Sequence, residues 1–394
     1  MIERALAPKL VALAQKFPVV ILTGPRQSGK TTLVRATFPA LPYVSLEEPD
    51  VRQVALTDPR GFLANLGSQV ILDEVQHAPE LLSYIQSIVD DDRAAKFILT
   101  GSSNLLLMEK VGQTLAGRSA ILHLLPFSLR ELERGGRSFE QYQVPLFMGQ
   151  YPRIYDREIA PTDFYPAYIQ TYVERDVRLI RNITDLNAFI QFTQLCAGRV
   201  GQLLNYASLA NDAGISPNTA KAWISILETC YVLYRLRPYH RNFNKRLVKS
   251  SKLYFYDTGL ACSLLGIREA GQVNTHFLKG ALFENLIVNE FIKRAFNQGE
   301  RRHPYFWRDS QGREIDCLLA DRDELTPVEI KAGRTMASSY FDNLKHWREL
   351  TGAPAGSGYV VYGGDTSLQT GAGSLLSWKH LERVPWLSPV RAPD

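Results

Sequence analysis

Residues 18–31 have the sequence PVVILTGPRQSGKT, an apolar run that passes directly into a glycine-rich turn. The run is typical of a buried strand, and the turn fits the pattern GxxxxGK[ST] from Gly24 to Thr31. Glycines let the backbone of such a turn approach an anion closely, and the start of the following helix adds amide donors. A strand, this pattern and a helix in that order predict a phosphate-binding loop, or P-loop.

The P-loop pattern suggests a role for each polar group. Lys30 is expected to reach the β and γ phosphates of ATP, and the Thr31 hydroxyl is expected to bind Mg²⁺. The predicted nucleotide-binding residues are Gly24, Pro25, Arg26, Gln27, Ser28, Gly29, Lys30, Thr31 and Thr32. The sequence therefore predicts ATP and Mg²⁺ as ligands.

A second apolar strand ends in two acids, in the stretch VILDE at 70–74. Asp73 is predicted to complete the magnesium shell, directly or through water. Glu74 is predicted to polarise the attacking water as the general base. Beside a P-loop, this pair of acids indicates ATP hydrolysis rather than two solvated carboxylates at a strand end.

Two further residues are candidates for the catalytic site. Ser102 follows the next apolar strand, at 97–100, and is predicted to sense the γ-phosphate, with Thr100 as the alternative. Arg118 has two interpretations that the sequence leaves open. It is an arginine finger supplied by a neighbouring subunit, or it is a structural salt-bridge partner.

Composition limits the class of protein. The 394 residues are 45% hydrophobic and 22% charged, which is ordinary for a soluble globular protein of two or three domains. A net charge of +5 does not by itself require a nucleic-acid partner. The four cysteines form no CxxC pair, which argues against a zinc site and fits a reducing cytosol. No apolar run approaches about 18 residues, so we expect a cytoplasmic protein without a membrane span.

The pattern of apolar residues changes along the chain. The first ~130 residues alternate strand-like and helix-like segments, which predicts a parallel sheet covered on both faces. A helical region to about Thr229 is followed by strand-like residues 231–256 and a long amphipathic helix at 275–296. Strand candidates follow at 305–308, 314–319, 326–331 and 358–362. The Gly/Ser/Pro-rich stretch 351–376 predicts a loop and a loosely held tail.

The middle of the chain has the features of a helix–turn–helix. Gly214 suits a tight turn after a helix, Ser216 suits an N-cap, and Pro217 suits the first helical position. Two strand candidates then flank a basic loop that could lie along phosphates as a wing. The predicted nucleic-acid residues are Arg235, Arg237, Arg241, Lys245, Arg246 and Lys249. A solvated basic loop, or a wing that docks protein, is the open alternative.

Four residues in the last third form a second candidate site. Glu284 lies on the amphipathic helix, Asp316 lies on a strand, and Glu329 and Lys331 sit two apart on the next strand. Because side chains alternate along a strand, Glu329 and Lys331 face the same side. Two carboxylates can hold Mg²⁺ against a phosphate, and the lysine can orient water.

Several motifs together resemble those of uncharacterised bacterial and archaeal AAA-type ATPases whose C-terminal half is a domain of unknown function. The stretches are GPRQSGKT at 24–31, VILDEVQ at 70–76, LTGSSN at 99–104, LAGR at 115–118, LPFSLREL at 125–132, GQYPR at 149–153, YVERDVR at 172–178 and KLYFYDTGLACSLLG at 252–266. The residues Glu284, Asp316, Glu329 and Lys331 also resemble the active site of the PD-(D/E)XK nucleases. An active nuclease, a degenerate DNA-binding or scaffold fold, and a chance match stay open.

The resemblance implies an α/β fold: a P-loop NTPase parallel sheet of the additional-strand, AAA type, then a helical winged-helix region and an α/β PD-(D/E)XK nuclease-like domain. We place the ATPase core at 1–135, a helical lid or linker at 136–180, the winged helix at 181–265 and the nuclease-like domain with its loose tail at 266–394. The expected function is ATP hydrolysis coupled to action on DNA. The alternative is a signalling or scaffold ATPase with an inactive nuclease-like fold, and homo-oligomerisation is left open.

Overall fold

The N-terminal third contains a five-stranded sheet. The computed structural model describes residues 2–102, 113–173, 183, 185–239 and 249–387. The strands are β1 (Val19–Gly24), β2 (Tyr43–Ser45), β3 (Gln69–Asp73), β4 (Lys96–Ser102) and β5 (Ser119–His123). All are parallel, in the order β2-β3-β4-β1-β5. Strand β4 therefore lies between the P-loop strand β1 and the acidic strand β3, as the additional-strand resemblance implies.

Helices cover both faces of this sheet. They are α1 (Ala7–Ala14), α2 (Lys30–Thr37), α3 (Pro49–Thr57), α4 (Pro59–Leu66) and α5 (Leu81–Asp91), with α6 (Leu129–Arg134) after the last strand. Val20 and Leu22 pack on the face covered by α1 and α2, whereas Val19 and Ile21 pack with α4 and α5. Every residue of β1 is buried as a result, which confirms the predicted parallel sheet with two covered faces.

The middle region is helical and ends in a β-hairpin. Its helices are α7 (Gln143–Met148), α8 (Pro152–Asp156), α9 (Pro161–Tyr168), a π-helical segment (Ile169–Val173), α10 (Leu186–Ala197), α11 (Tyr206–Ala213) and α12 (Pro217–Thr229). Gly214 ends α11 with φ 67°, and the Ser216 side chain accepts from the Thr219 amide at the start of α12. The predicted turn chemistry is confirmed. Strands β6 (Leu233–Pro238) and β7 (Lys252–Phe255) follow and pair antiparallel.

The last third adds helices and strands around the same hairpin. These elements are α13 (Thr258–Leu264), α14 (Lys279–Asn297), β8 (Tyr305–Arg308), β9 (Glu314–Asp321), β10 (Glu324–Lys331), α15 (Asp342–Thr351), β11 (Tyr359–Tyr362), β12 (Leu368–Thr370) and β13 (Gly373–Ser377). They form an eight-stranded sheet with the hairpin, in the order β12-β13-β11-β10-β9-β8-β6-β7. The described residues also contain four short 3-10 helices: Val75–His77, Ala270–Asn274, Ser338–Phe341 and Leu381–Arg383.

One sheet spans the middle and C-terminal regions, and a core shared by both regions packs against it, while a second cluster around Trp307 and Trp347 belongs to the C-terminal region. Strand β6 pairs parallel with β8, where Arg237 lies opposite Tyr305. A single cluster of buried apolar side chains runs from Leu125 to Leu387. The predicted boundary at 265/266 therefore does not separate two independent units, because the hairpin assigned to the first completes the sheet of the second.

The predicted loose tail is wrong. Residues 359–377 form three strands of the large sheet, and β13 pairs parallel with β11. Trp378 and Trp386 are buried beyond them. The glycines that suggested a loop serve close backbone contacts: Gly373 has φ 141°, and a Cβ there would lie 3.1 Å from the Gly358 carbonyl oxygen.

Candidate functional site

The P-loop closes around the ammonium group of its own lysine. Gly24 has φ 152°, and a Cβ at this position would overlap the carbonyl oxygen of Leu124, so glycine is required. Gly29 has φ 90° and begins α2. Lys30 is buried, and its Nζ donates to the carbonyl oxygens of Gly24 at 3.1 Å and Pro25 at 2.8 Å. The ammonium is thus held inside the turn where phosphates are expected.

The other predicted loop residues differ in exposure. Gln27 has φ 59°, an uncommon conformation for a residue with a side chain. Ser28 is fully buried, and its hydroxyl has no hydrogen-bond partner within the described part of the chain. Arg26 is half-buried and Thr32 is exposed. The loop therefore keeps one buried hydroxyl without a bond beside the lysine.

Asp73, at the carboxyl end of β3, accepts hydrogen bonds from three hydroxyl groups. The Thr31 Oγ1 and the Tyr43 hydroxyl each donate to Asp73 Oδ2 at 2.7 Å. The Thr100 hydroxyl donates to Oδ1. Burial and the Asp73 carboxylate raise the pKa of the Tyr43 phenol, which keeps that group a donor. The structure therefore brings Thr31 and Asp73 together, and adds Tyr43, which the sequence did not suggest.

Glu74 is linked to Ser102 through a side chain that sequence reasoning missed. Glu74 has φ 57°, so a residue with a side chain holds a left-handed conformation directly after β3. The Gln76 Nε2 donates to the Glu74 carboxylate and to the Ser102 Oγ, the latter at 3.1 Å. Ser102 therefore adjoins the predicted base, whereas Thr100 adjoins Asp73. The polar residue at position 76 of the VILDEVQ motif was the available signal.

Arg118 lies at the opposite end of the sheet from its own P-loop. It precedes β5, and its carbonyl accepts from Val19 at the start of β1, whereas the P-loop follows the end of β1, roughly 17 Å further on. Its guanidinium forms two bonds to the Asp90 carboxylate, at 2.5 and 2.9 Å. The structure shows the salt bridge and does not bring Arg118 near Lys30 of the same chain.

The four residues predicted for the second site come together in space. Asp316 Oδ2 accepts from the Ile330 amide at 2.8 Å and from Lys331 Nζ at 3.2 Å. The same Nζ donates to Glu329 Oε2 at 2.6 Å. Glu329 is fully buried, and burial raises its pKa to about 8. Glu284 on α14 completes the set, and burial raises its pKa to about 7.

Two further residues that the sequence did not suggest enter this cluster. Lys252 at the start of β7 is buried, and its Nζ donates to Glu284 at 2.8 Å and to Glu314. Ligand atoms of Glu284, Glu314 and Asp316 all lie within 4.8 Å of one another, a spacing suited to a metal ion. We define the C-terminal carboxylate cluster as Glu284, Glu314, Asp316 and Glu329.

The structure describes three of the six predicted nucleic-acid residues. Arg235 is half-buried and donates to Glu228 at 2.6 and 2.8 Å, so its charge is already paired. Arg237 and Lys249 are exposed. Arg241, Lys245 and Arg246 lie outside the described residues. Arg235 therefore pairs with α12, the helix before the hairpin, and a role for it at a phosphate stays a prediction.

Three family models match consecutive parts of the chain. Residues 16–133 match a model described as an AAA domain. We refer to residues 16–133 as the AAA domain. Residues 136–271 match a domain of unknown function, DUF8612, and residues 279–381 match another, DUF4143.

Relatives extend the similarity beyond the AAA domain. The chain is 29% identical over 340 residues to Uncharacterized protein Rv2008c of Mycobacterium tuberculosis, covering 86% of this chain and 75% of that protein. It is 23% identical over 399 residues to Uncharacterized protein MJ1637 of Methanocaldococcus jannaschii, covering 88% and 82%. A Walker-type ATPase of Pyrococcus abyssi overlaps 67% of this chain and 96% of its own, at 16% identity and a TM-score of 0.43.

A buried bridge joins the P-loop of the AAA domain to α14. The Arg4 guanidinium donates to the Ser28 carbonyl oxygen at 2.7 Å and to the Glu131 carboxylate at 3.0 Å. The Leu129 amide, on the same short helix as Glu131, donates to Glu290 at 2.8 Å. The LPFSLREL stretch thus connects the nucleotide loop with the helix that carries Glu284.

The GQYPR and YDTG stretches meet at one buried acid. Asp257 accepts from the Gln150 amide at 2.8 Å, the Tyr165 hydroxyl at 2.6 Å and the Leu260 amide at 3.0 Å. Two of the more specific motifs are therefore explained by packing.

Among the described residues, no helix is long and apolar enough to cross a bilayer.

Proposed function

We propose that the AAA domain binds ATP with Mg²⁺ and hydrolyses it. The observation that carries this proposal is the hydrogen bond to Asp73 from Thr31, the residue that follows the lysine of the P-loop. Hydroxyl and carboxylate oxygens are the ligands that Mg²⁺ prefers, so Thr31 and Asp73 fit the ion. When bound, Mg²⁺ neutralises charge on the β and γ phosphates.

The residues around this pair have separate tasks in the proposal. Lys30 exchanges its bonds to two loop carbonyls for bonds to phosphate oxygens. Glu74 accepts the proton of the attacking water. Gln76 holds the Glu74 carboxylate against Ser102, so a change at the γ-phosphate that moves Ser102 also moves the base. Arg118 acts on a neighbouring subunit if it acts in hydrolysis at all, because it lies far from its own P-loop.

The Glu74→Gln variant tests hydrolysis separately from binding. The amide keeps the shape of the side chain but cannot accept the proton, so we expect turnover to fall by about 100-fold or more while ATP binding persists. Glu48→Gln, an exposed glutamate whose side chain does not cap its helix, is the matched control. Phosphate release and equilibrium ATP binding are measured on both. Unchanged turnover in Glu74→Gln would show that another group is the base.

We propose as a second function a metal-dependent phosphodiester hydrolysis at the C-terminal carboxylate cluster. The observation that favours it is the pair of oxygens Asp316 Oδ1 and Glu329 Oε1, for which the described residues offer no hydrogen bond. Glu329 is fully buried, and a buried carboxylate oxygen without a partner is costly. Such a donor set fits a divalent cation, which supplies Lewis acidity when bound. Lys331 would then orient water or stabilise developing charge.

DNA is the proposed substrate of this second function. Helices α10, α11 and α12 with the β6–β7 hairpin follow the order of a winged helix, which supports DNA binding through α12 and the hairpin. The exposed side of α12 carries Asn218, Lys221 and Ser225, and the hairpin exposes Arg237 and Lys249. Because this surface carries few positive charges, a protein-binding scaffold is kept as the alternative to DNA binding.

Lys331→Ala distinguishes these alternatives. We expect it to abolish DNA cleavage in Mg²⁺ or Mn²⁺ and to leave ATP turnover unchanged. Lys345→Ala, an exposed lysine on the neighbouring helix α15, is the control and should cleave like the wild type. If the wild type cleaves no DNA with either metal, the nuclease function is wrong and the scaffold alternative is favoured.

A further inference from the structure

The C-terminal carboxylate cluster is divided into two halves by its lysines. Lys252 approaches from the hairpin side and contacts Glu284 and Glu314. Lys331 approaches from β10 and contacts Asp316 and Glu329. Each half is thus one ammonium with two carboxylates, and the carboxylates are at most one-sixth exposed.

In the first half, three of the four carboxylate oxygens accept from described side chains, and Glu284 Oε2 accepts none. Glu284 Oε1 accepts from both Lys252 and the Tyr254 hydroxyl, the latter at 2.5 Å. Glu314 accepts from Lys252 on one oxygen and from Arg308 on the other, at 3.3 Å. Lys252 therefore already contacts Glu284 and Glu314, two of the three acids whose spacing suits a metal ion.

In the second half, one oxygen of each acid accepts nothing from the described chain. Asp316 Oδ2 and Glu329 Oε2 accept from Lys331, but Asp316 Oδ1 and Glu329 Oε1 accept no hydrogen bond from the described residues. Glu329 Oε1 is a buried polar atom of a fully buried side chain. These two oxygens are an observation separate from the clustering of the acids, because they identify the atoms that remain to bind a ligand.

The position of Lys252 is fixed by the fold. Its backbone pairs with Leu236 in the hairpin and forms a bridge with Leu203. Its side chain is 4% exposed, and Nζ lies 5.5 Å from the centre of the Phe306 ring. Strand pairing fixes the backbone of Lys252, and the Phe306 ring packs against its ammonium. The ammonium therefore stays in the cluster, whereas that of an exposed lysine could rotate away.

We propose that Lys252 is a built-in cation that takes the second cation position of the cluster. The cluster then binds one divalent cation, at Asp316 and Glu329, instead of the pair found in two-metal sites. This inference rests on the proposed phosphodiesterase site, and it assigns Lys252 and Glu314 as positioning residues. The ammonium neutralises one negative charge where a second divalent ion would neutralise two.

Calorimetric titration of the full chain with Mn²⁺ tests this. Every protein carries Asp73→Asn, which removes the carboxylate of the ATPase site from the count. We expect one Mn²⁺ per chain with Lys252 present and two per chain in Lys252→Met. Adding Glu314→Gln to Lys252→Met should return the count to one. Lys345→Met, the control, should bind one.

The outcomes separate the inference from the function on which it rests. No Mn²⁺ binding with Lys252 present would contradict the proposed metal-dependent function itself. Two Mn²⁺ with Lys252 present, or one in Lys252→Met, would overturn the inference and leave that function standing. If circular dichroism shows that Lys252→Met is unfolded, Lys252→Gln replaces it, because the amide keeps polar contacts and removes the charge. The same counts then apply.

Discussion

The AAA site and the C-terminal carboxylate cluster hold their acids in different ways. Asp73 is surrounded by the neutral hydroxyls of Thr31, Tyr43 and Thr100. The acids of the C-terminal cluster are held instead by two ammonium groups, and three of their oxygens, Glu284 Oε2, Asp316 Oδ1 and Glu329 Oε1, accept no hydrogen bond from the described residues. Neutral donors suit a ligand such as MgATP that arrives with its own cation. Excess carboxylate suits a cation taken from solution.

The largest expected effect on stability comes from breaking the charged site. Lys252→Met leaves Glu284 and Glu314 without their buried counter-charge, so we expect the free energy of unfolding to fall by about 3 kcal/mol. Lys345→Met, at an exposed position, is the control. Urea unfolding with and without Mn²⁺ measures both, and Mn²⁺ should restore part of the loss. A change below about 1 kcal/mol would show that the pair is not effectively buried.

A smaller loss is expected from the neutral site. Thr100→Val removes one hydroxyl donor from the Asp73 carboxylate, which should cost about 2 kcal/mol because hydrogen bonds to charged groups are worth roughly 1.5–3 kcal/mol. Thr23→Val is a matched control on the adjacent strand, since the buried Thr23 hydroxyl has no partner in the described residues. Its unfolding free energy should stay the same or rise. Equal losses in the two variants would contradict the assigned hydrogen bond.

The smallest change is expected at the exposed pair Arg118–Asp90. Arg118→Ala should leave the free energy of unfolding nearly unchanged, because solvent screens exposed ion pairs. ATP turnover of the same variant decides between its two interpretations. A fall of about 100-fold without a stability change would assign Arg118 to a neighbouring subunit's site. Unchanged turnover would assign it to the salt bridge alone.

The sequence predicted the AAA site well because its parts are contiguous. The predicted ligand-binding groups lie in one turn and at the end of one strand. The spacing within these two short segments therefore identifies Lys30, Thr31 and Asp73. Tyr43 and Gln76 were missed because their contacts depend on which strands are neighbours and on how the chain turns after β3. Strand order could be inferred from the resemblance, but side-chain contacts could not.

The C-terminal cluster shows the limit of the same reasoning. Strand periodicity predicts that Glu329 and Lys331 share a face, and the resemblance to the PD-(D/E)XK nucleases adds Glu284 and Asp316 to them. Lys252 could not be found, because its role follows from β6 pairing with β8, which joins two predicted domains in one sheet. The loose tail was mispredicted for a similar reason: composition shows glycine, but not that a glycine permits two strands to approach.

Equilibrium binding of ATP with Mg²⁺ to the wild type and to Lys30→Ala tests the central claim most directly. Lys16→Ala, an exposed lysine of the same domain, is the control. Loss of the buried ammonium should raise the dissociation constant by about 100-fold, equivalent to roughly 2.7 kcal/mol, while the control binds like the wild type. Equal affinity in wild type and Lys30→Ala, or no binding by the wild type, would contradict the assignment of the P-loop.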